Sequence, residues 1–340
     1  MAVYRLLLLG CLVLTACSDA KEAMDVLDAS TGIPRKRIDV SMTGVNAFAN
    51  EPVFGTICEQ YADVKNTLKL KYVRVLFNWN SDVQSSPTAA PNFSFYDAIV
   101  RCIPPGVDAL VVLNGVPEWM RDPDNWIEEN PRATFVELWV KRVVRRYRDA
   151  ARIVGWQIWN EPNMESNPEN VLLRFKSNPE NYVEMLARAY STCKDIAPRK
   201  LVVGAATTSI NQNFPDSLKY NRRMFNAGAE NFMDVWAIHY YGSSYENIVR
   251  PGTNIRNFLN DLRVPIWVTE SGERGVTKQL EYVERTWPFL LKEAPGIQRF
   301  YYYTYASSGS SADIAYGLRT DQPQAPVSDL YVYLRDRQAD

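Results

Sequence analysis

The chain has 340 residues, of which 46% are hydrophobic and 12% aromatic, so it can bury a large core and general disorder is excluded. Its 38 Lys and Arg residues nearly balance its 39 Asp and Glu residues, which leaves a net charge of −1 and predicts no nucleic-acid partner. A single histidine, His239, excludes the usual His-rich zinc sites, and we expect neither a metal nor a cofactor.

The N-terminus has the pattern of an export signal. Arg5 precedes an apolar run, Leu6 to Val13, which is too short to span a membrane and ends in small residues. The next four residues, Leu14-Thr15-Ala16-Cys17, resemble the lipobox of bacterial lipoproteins, in which the cysteine becomes the acylated first residue of the mature chain. This resemblance implies a signal peptide over residues 1–16 and a lipid anchor at Cys17. An ordinary cleaved signal peptide is the alternative.

The polar residues after Cys17 extend to about residue 36 and predict a tether over 17–36. Ser18 resembles the sorting signal for the outer membrane. We therefore expect a lipid-anchored protein of the bacterial cell envelope, and the sequence leaves open which side of the membrane it faces.

The rest of the chain alternates strand and helix patterns. Short β-branched and aromatic runs predict strands at Ile38–Val45, Tyr72–Phe77, Ala109–Leu113, Val154–Trp159, Leu201–Gly204, Val235–Tyr240, Ile266–Thr269 and Phe300–Tyr305. Helical patterns lie between them, at Cys58–Leu70, Phe95–Cys102, Thr134–Ala151, Tyr182–Ile196, Leu218–Ala227, Asn254–Leu262 and Lys278–Lys292. Eight such units predict an α/β protein, a single-domain (β/α)8 TIM barrel over residues 37–340.

Cysteine usage leaves one question open. Cys58, Cys102 and Cys193 remain in the predicted mature chain, and an exported location permits disulfides. Cys58 and Cys102 fall on the first two predicted helices, which would be neighbours in a barrel. A bridge between them and three buried free thiols are both compatible with the sequence.

Two predicted strands end in a carboxylate. Glu161 follows the fourth strand in Trp159-Asn160-Glu161-Pro162-Asn163, and Glu270 follows the seventh in Val268-Thr269-Glu270-Ser271-Gly272. Functional residues of such barrels lie at the carboxyl ends of strands. Glycoside hydrolases use a pair of carboxyl groups for catalysis. One carboxyl group must stay protonated, for which Trp156 or Trp159 could form an apolar wall, and the other must stay ionised.

Asn160-Glu161-Pro162, together with Glu270, resembles the signature of the retaining glycoside hydrolases of clan A. The resemblance extends over almost the whole predicted mature chain. It implies that Glu161 is the general acid/base, that Glu270 is the nucleophile and that Asn160 binds the sugar 2-hydroxyl.

Two further motifs resemble the same clan. Arg74 in Tyr72-Val73-Arg74-Val75 resembles the arginine of strand two that holds the nucleophile ionised. His239-Tyr240-Tyr241 resembles the His-x-Tyr pattern of strand six, which implies that Tyr241 contacts Glu270.

Aromatic residues suggest where sugar rings could stack. The Pro117-Glu118-Trp119 loop resembles that of family 39, which includes endo-acting hydrolases of bacterial exopolysaccharide operons, and we expect Trp119 to bind substrate. Trp79 and Trp126 also lie in predicted loops, although each could instead pack its own loop. The clan often has a tryptophan floor at the end of strand eight. Here Tyr303 and Tyr305 share one face of the predicted strand, and we expect Tyr305 to form the floor.

Together these features predict a retaining glycosidase that cleaves an O-glycosidic bond of a cell-envelope or extracellular polysaccharide by double displacement. The alternative is a barrel that is inactive or transglycosylating and binds or guides an exported glycan. The pair of glutamates with Asn160 and Arg74 favours the enzyme, because a binding protein needs no acid and nucleophile. The sugar, its linkage and endo or exo action are left open.

Overall fold

The computed structural model describes residues 35–211, 215–242, 255–309, 311–312 and 314–337. The predicted signal peptide, Cys17 and most of the tether lie outside the described residues, as does Asn254 at the predicted start of a helix. The chain divides into two units, Met1–Lys36 and Arg37–Asp340. Every element below belongs to the second unit, and none of its described helices is both long and apolar enough to cross a bilayer.

Eight parallel strands form the barrel. They are β1 (Thr43–Asn46), β2 (Tyr72–Asn78), β3 (Asp108–Asn114), β4 (Ile153–Ile158), β5 (Leu201–Val203), β6 (Trp236–Tyr241), β7 (Ile266–Gly272) and β8 (Ile297–Tyr302). Hydrogen-bonded neighbours follow the order β5-β4-β3-β2-β1-β8-β7-β6. A parallel bridge between Val203 and Val235 lies between β5 and β6 and nearly closes the ring. The predicted (β/α)8 barrel is confirmed.

Helices separate the strands along the described chain. They are α1 (Ile57–Asn66), α2 (Ser94–Cys102), α3 (Pro131–Phe135), α4 (Lys141–Tyr147), α5 (Pro168–Leu172), α6 (Pro179–Ile196), α7 (Pro215–Asn226), α8 (Ile255–Asp261), α9 (Gln279–Glu293) and α10 (Asp329–Asp336). A π-helical turn, Val136–Val140, joins α3 to α4, and a short strand pair, β9 (Ala306–Ser307) and β10 (Arg319–Thr320), follows the barrel. Short 3-10 helices lie at Val40–Met42, Pro52–Phe54, Glu118–Arg121, Pro123–Asn125, Ile127–Glu129 and Ala229–Phe232.

Each of the eight strands has at least one boundary that differs from the sequence prediction, by up to five residues. The first strand begins at Thr43 instead of Ile38, because Asp39 caps a 3-10 turn by accepting a hydrogen bond from the Ser41 amide. The eighth strand ends at Tyr302, three residues earlier than expected. The tyrosines beyond Tyr302 therefore no longer follow the alternation of a strand.

Side chains from several strands fill the barrel interior. Leu110, Val203, Ala237, Trp267 and Tyr301 belong to one buried cluster, with Tyr72 packed against it. The Arg299 guanidinium lies 3.6 Å from the Tyr72 ring centroid and 4.1 Å from that of Trp267, at the amino-terminal end of the strands. In barrels of this kind the functional residues lie at the opposite end, where the strands have their carboxyl ends.

The structure decides the cysteine question. Cys58 of α1 and Cys102 of α2 form a disulfide, with their Cα atoms 4.6 Å apart, and Cys193 of α6 is a buried free thiol. The bridge ties together the first two helices on the outside of the barrel. They are neighbours, as the barrel prediction requires.

Loss of this disulfide is expected to lower the free energy of unfolding by about 2 to 4 kcal/mol, since it closes a loop in the unfolded chain. The two cysteines are separated by 44 residues, which is long enough for a substantial loop-closure effect. Denaturant unfolding of the Cys58→Ser, Cys102→Ser double variant measures the change. The same loss should appear in the unaltered protein with reductant, and a variant as stable as the parent would contradict the prediction.

Candidate active site

The two predicted glutamates meet over the carboxyl ends of the barrel strands. Glu270 lies within β7, and Glu161 lies in the segment that follows β4. His239 of β6 lies between them, with Nδ1 2.9 Å from Oε1 of Glu161 and Nε2 3.5 Å from Oε1 of Glu270. One oxygen of each glutamate and a ring nitrogen of His239 lie within 4.8 Å of one another. The structure therefore brings together three residues that are far apart in the sequence.

Glu270 is buried and surrounded by donors. Arg74 Nη1 donates to its Oε1 at 2.7 Å, and the Tyr241 hydroxyl donates to its Oε2 at 2.8 Å. Burial raises the pKa of the Glu270 carboxyl, but the interactions with His239, Arg74 and Tyr241 outweigh burial and hold the net pKa below its usual value. Glu270 is thus an ionised carboxylate in a site where burial alone would favour the neutral acid. Burial and the neighbouring Glu270 charge raise the pKa of Tyr241 well above its usual value, so Tyr241 remains a donor.

Arg74 is itself held by three side chains besides Glu270. Nη1 also donates to Asn46 Oδ1 at 2.7 Å, Nε donates to Gln157 Oε1 at 2.9 Å, and Nη2 donates to Asn160 Oδ1 at 2.7 Å. Sequence reasoning expected Arg74 and Asn160 here and missed Asn46 and Gln157. The sequence does contain a signal for these two residues: each is polar and lies within, or at the end of, an otherwise apolar strand. In a barrel, such a side chain points to the interior near the site.

The segment that carries Glu161 has an unusual backbone. Trp159 and Glu161 both adopt left-handed conformations, with φ of 74° and 45°. Each such residue costs about 1 to 3 kcal/mol and persists only where the surroundings hold it, a pattern that clusters at active sites. The Glu161 amide donates to the Ala206 carbonyl at 2.9 Å, which ties this segment to the one that follows β5.

The two tryptophans expected to form an apolar wall pack in different surroundings. The Trp159 ring packs in the core against Phe135 and Phe175, with centroids 5.3 and 5.6 Å apart. Trp156 alternates along β4 with Gln157, whose side chain reaches Arg74, so Trp156 points to the opposite face of the barrel wall. Trp156 therefore does not shield the acid, whereas an apolar wall formed by Trp159 stays a prediction.

The expected role of Tyr305 is wrong, and a different tyrosine of this segment, Tyr303, lies beside Tyr241. Tyr305 is completely buried, and its hydroxyl donates to Asp63 of α1 at 2.9 Å, so its ring cannot contact a sugar. Tyr303 is 37% exposed and lies 6.1 Å from the ring of Tyr241. Burial raises the pKa of Tyr303, and so do the charges of Glu270 and Glu161.

The three loop tryptophans pack largely against neighbouring loops and helical turns of the protein. Trp79 is completely buried, whereas Trp119 and Trp126 keep some exposed surface. Trp119 meets the Trp79 ring edge-on at 5.4 Å and donates its indole N–H to the Gln84 carbonyl. In the part of the chain that the structure describes, Trp119 makes no hydrogen bond to the two glutamates, so its substrate contact stays a prediction.

The charges of the site do not favour a bound metal ion. Among the described residues, only one group of three or more His, Cys, Asp or Glu side chains has a spacing that could hold a metal ion, and it consists of Glu161, His239 and Glu270. Glu270 already pairs with the guanidinium of Arg74 at 2.7 Å, and a second cation at the same carboxylate would be repelled. The donor set thus suits acid–base chemistry better than metal binding.

Solved structures share this fold. A family 39 glycoside hydrolase from Bacteroides cellulosilyticus WH2 matches with a TM-score of 0.63 and 18% identity, over 88% of this chain and 64% of the other. An endocellulase from Pyrococcus horikoshii matches with a TM-score of 0.55 and 16% identity, over 86% and 90% of the two chains. At these identities the similarity shows the fold alone.

Among curated proteins, a probable mannan endo-1,4-β-mannosidase from Aspergillus terreus is 26% identical over 211 residues, 56% of this chain. The chain spans about half the length of that curated relative, since the match covers 50% of it. The family model described as cellulase, glycosyl hydrolase family 5, matches residues 34–308, which include the whole eight-stranded barrel and both glutamates. This chain therefore belongs to glycosyl hydrolase family 5, a family of clan A.

Proposed function

We propose that this chain hydrolyses an O-glycosidic bond of a polysaccharide with retention of configuration, with Glu270 as nucleophile and Glu161 as general acid/base. The observation that carries the proposal is the closeness of the two carboxylates, whose nearest oxygens lie within 4.8 Å. Retaining enzymes place the two groups about 5 to 5.5 Å apart, whereas inverting enzymes leave about 6.5 to 9.5 Å for a water molecule. The short separation supports retention.

In the first step, the Glu161 carboxyl protonates the glycosidic oxygen while the Glu270 carboxylate attacks the anomeric carbon. The bond from that carbon to the leaving oxygen breaks, the leaving sugar departs as an alcohol, and an ester forms with Glu270. The low pKa of Glu270 suits attack because the carboxylate is ionised before substrate binds. Tyr241 and Arg74 hold its two oxygens, which orients the carboxylate.

In the second step, the Glu161 carboxylate takes a proton from a water molecule, which attacks the anomeric carbon and releases Glu270. Two inversions restore the original configuration. His239 Nδ1 shares a hydrogen bond with Glu161 Oε1, which orients Glu161, while its Nε2 lies 3.5 Å from Glu270 Oε1. Asn160, held by Arg74, would present its side chain to the sugar 2-hydroxyl.

The substrate side of the proposal begins with β-1,4-linked mannans and glucans. The curated relative is named a mannan endo-1,4-β-mannosidase, and a structural neighbour is an endocellulase. The half-exposed Tyr303 ring beside Tyr241 is the candidate floor for the sugar next to the cleaved bond. The family 39 likeness of the Trp119 loop adds bacterial exopolysaccharides to the substrates to test.

The configuration of the first product tests the mechanism. Proton NMR of the reaction should show the starting anomer before mutarotation, and the inverted anomer would contradict retention. Sizing the products separates the remaining alternatives: shorter chains indicate hydrolysis, whereas longer chains indicate transglycosylation. Binding without any change of chain length would favour the glycan-guiding barrel.

Arg74→Met is expected to move the acidic limb of the kcat/KM profile to higher pH. Arg74 lowers the pKa of Glu270, so its removal raises that pKa and the ionised nucleophile is lost at a higher pH. Removing one partner of a buried pair should also lower the free energy of unfolding by about 3 to 5 kcal/mol. The pH–rate profile and denaturant unfolding measure the two effects.

Arg132→Met is the matched control, because Arg132 is also largely buried and pairs with Glu184 outside the site. We expect this variant to lose stability while its acidic limb stays in place. An unchanged limb in Arg74→Met would contradict the role assigned to Arg74.

We further propose that the protein works at the cell envelope, held by a lipid at Cys17. The support is the lipobox-like Leu14-Thr15-Ala16-Cys17 and the polar segment after it, which would let the barrel reach a nearby glycan. Two or more acyl chains bind a membrane far more firmly than one.

Cys17→Ser is expected to move the protein from the membrane fraction to the soluble fraction without loss of barrel stability. Activity on a soluble glycan should survive, because every strand of the barrel lies after residue 42. Membrane fractionation and intact-mass measurement check both statements. If the unaltered protein is found wholly in the soluble fraction, without added lipid mass, the anchoring proposal is contradicted.

A further inference from the structure

A buried asparagine outside the catalytic cluster makes three hydrogen bonds to the segment that carries Glu161. Asn170 lies in α5 and is completely buried. Its Nδ2 donates to the carbonyl oxygens of Glu161 at 2.8 Å and Met164 at 2.9 Å, and its Oδ1 accepts from the Trp159 indole N–H at 2.8 Å. Every polar atom of the side chain is therefore used, and every bond goes to the same segment after β4.

These bonds hold the part of the backbone that needs support. Trp159 and Glu161, the two left-handed residues, are each bonded to Asn170, one through its side chain and the other through its carbonyl. A backbone in sparsely populated conformations persists only where its surroundings over-determine it. The direction of the Glu161 side chain follows from that backbone, and it ends 2.9 Å from His239 Nδ1.

Only an amide side chain can make this set of bonds. Two carbonyl oxygens require two N–H donors, and the indole N–H requires an acceptor. Aspartate would keep the acceptor and turn a second oxygen toward the two carbonyls. An apolar residue would leave buried polar atoms without this partner, which is costly.

We propose that Asn170 is a positioning residue for the general acid/base: it holds the Trp159–Glu161 backbone in the conformation that presents the Glu161 carboxyl to the glycosidic oxygen. This proposal rests on the proposed role of Glu161. Asn170 itself does not contact the substrate in this proposal. Its loss should therefore weaken proton transfer specifically, in addition to any loss of stability.

The chain provides a closely matched control. Asn221 of α7 is also completely buried, donates through Nδ2 to Thr207 and Ser217, and accepts the Trp236 indole N–H at Oδ1. It has the same three-bond pattern, but within the described residues none of these bonds goes to the segment that carries Glu161. Asn170→Ala and Asn221→Ala should lose similar stability, and only the first should affect proton transfer. Asn170→Asp, of nearly the same shape, serves if Asn170→Ala does not fold.

Leaving-group dependence is the kinetic readout. It uses two aryl glycosides of the sugar that the unaltered protein hydrolyses fastest, one with a poor phenol leaving group and one with dinitrophenol. Displacement of a reacting group by about 1 Å can cost about 10²-fold, and we expect that loss for the Asn170 variants on the poor leaving group. Dinitrophenolate departs without protonation, so the rate of the first chemical step on this substrate should fall only a few-fold in the Asn170 variants. Asn221→Ala should slow both substrates equally.

Crystal structures of the unaltered protein and of both variants form the second arm, which requires no activity. We expect the Glu161 carboxyl to leave His239 Nδ1 in the Asn170 variant and to stay in the Asn221 variant. Equal losses on the two substrates, or an unmoved Glu161, would overturn the proposal. If the unaltered protein hydrolyses no glycoside, the proposed function fails, while the crystal structures still decide whether Asn170 positions Glu161.

Discussion

Glu270→Gln is expected to abolish turnover almost completely, by about 10⁴-fold or more, as removal of the nucleophile does in other covalent mechanisms. The amide has the same shape as the carboxylate and carries no charge with which to attack the anomeric carbon. No glycosyl-enzyme should form. Rates on the best substrate measure the loss of turnover. Intact-mass spectrometry compares the variant with the unaltered enzyme, in which the glycosyl-enzyme should be detected.

Glu273→Gln provides the control, because Glu273 is in the same segment and its carboxylate accepts a hydrogen bond from the Arg274 amide. This variant should keep its activity, since Glu273 takes no part in the proposed mechanism. A Glu270→Gln variant that still accumulates a covalent intermediate would show that another group is the nucleophile.

Glu161→Ala is expected to slow both chemical steps, by about 10²- to 10⁴-fold on substrates whose leaving group requires protonation. On a substrate with a good leaving group, the first step should be nearly normal and the second should become limiting, so the glycosyl-enzyme should accumulate. Added azide should then restore part of the rate. It can occupy the space left by the carboxylate and attack the intermediate without a base.

The pattern of azide rescue distinguishes the two glutamates. For Glu161→Ala, the product should be a glycosyl azide with the configuration of the substrate, because the nucleophile Glu270 is intact. Rescue of the Glu270 variant, with none for Glu161→Ala, would reverse the assigned roles. Identification of the azide product by NMR checks the stereochemistry directly.

The barrel and the residues at its mouth could be predicted because their signals are local. Each β-branched run followed by a helical pattern is visible within about 30 residues, and eight such units suffice to predict the closed sheet. Glu161 and Glu270 follow apolar strands, and strand ends converge in this fold. The structure brings both together with Arg74, His239 and Tyr241, although their catalytic roles stay predictions.

Other features depend on where a strand stops. Period-two alternation placed Tyr303 and Tyr305 on one face and favoured Tyr305 as the floor. Because β8 ends at Tyr302, the chain turns away at that point, and Tyr305 packs against Asp63 of α1. Propensity cannot locate such an end to within a residue, since tertiary packing outweighs the small local preference.

The support of the site was decided by tertiary structure alone. Arg74 meets partners 28 and 83 residues away in the sequence, Asn46 and Gln157, and no local pattern pairs them. The disulfide between Cys58 and Cys102, which the sequence left open, exists because the barrel sets α1 beside α2. Sequence patterns report which residues are buried and with what period, whereas buried polar groups find their partners only when distant segments meet in space.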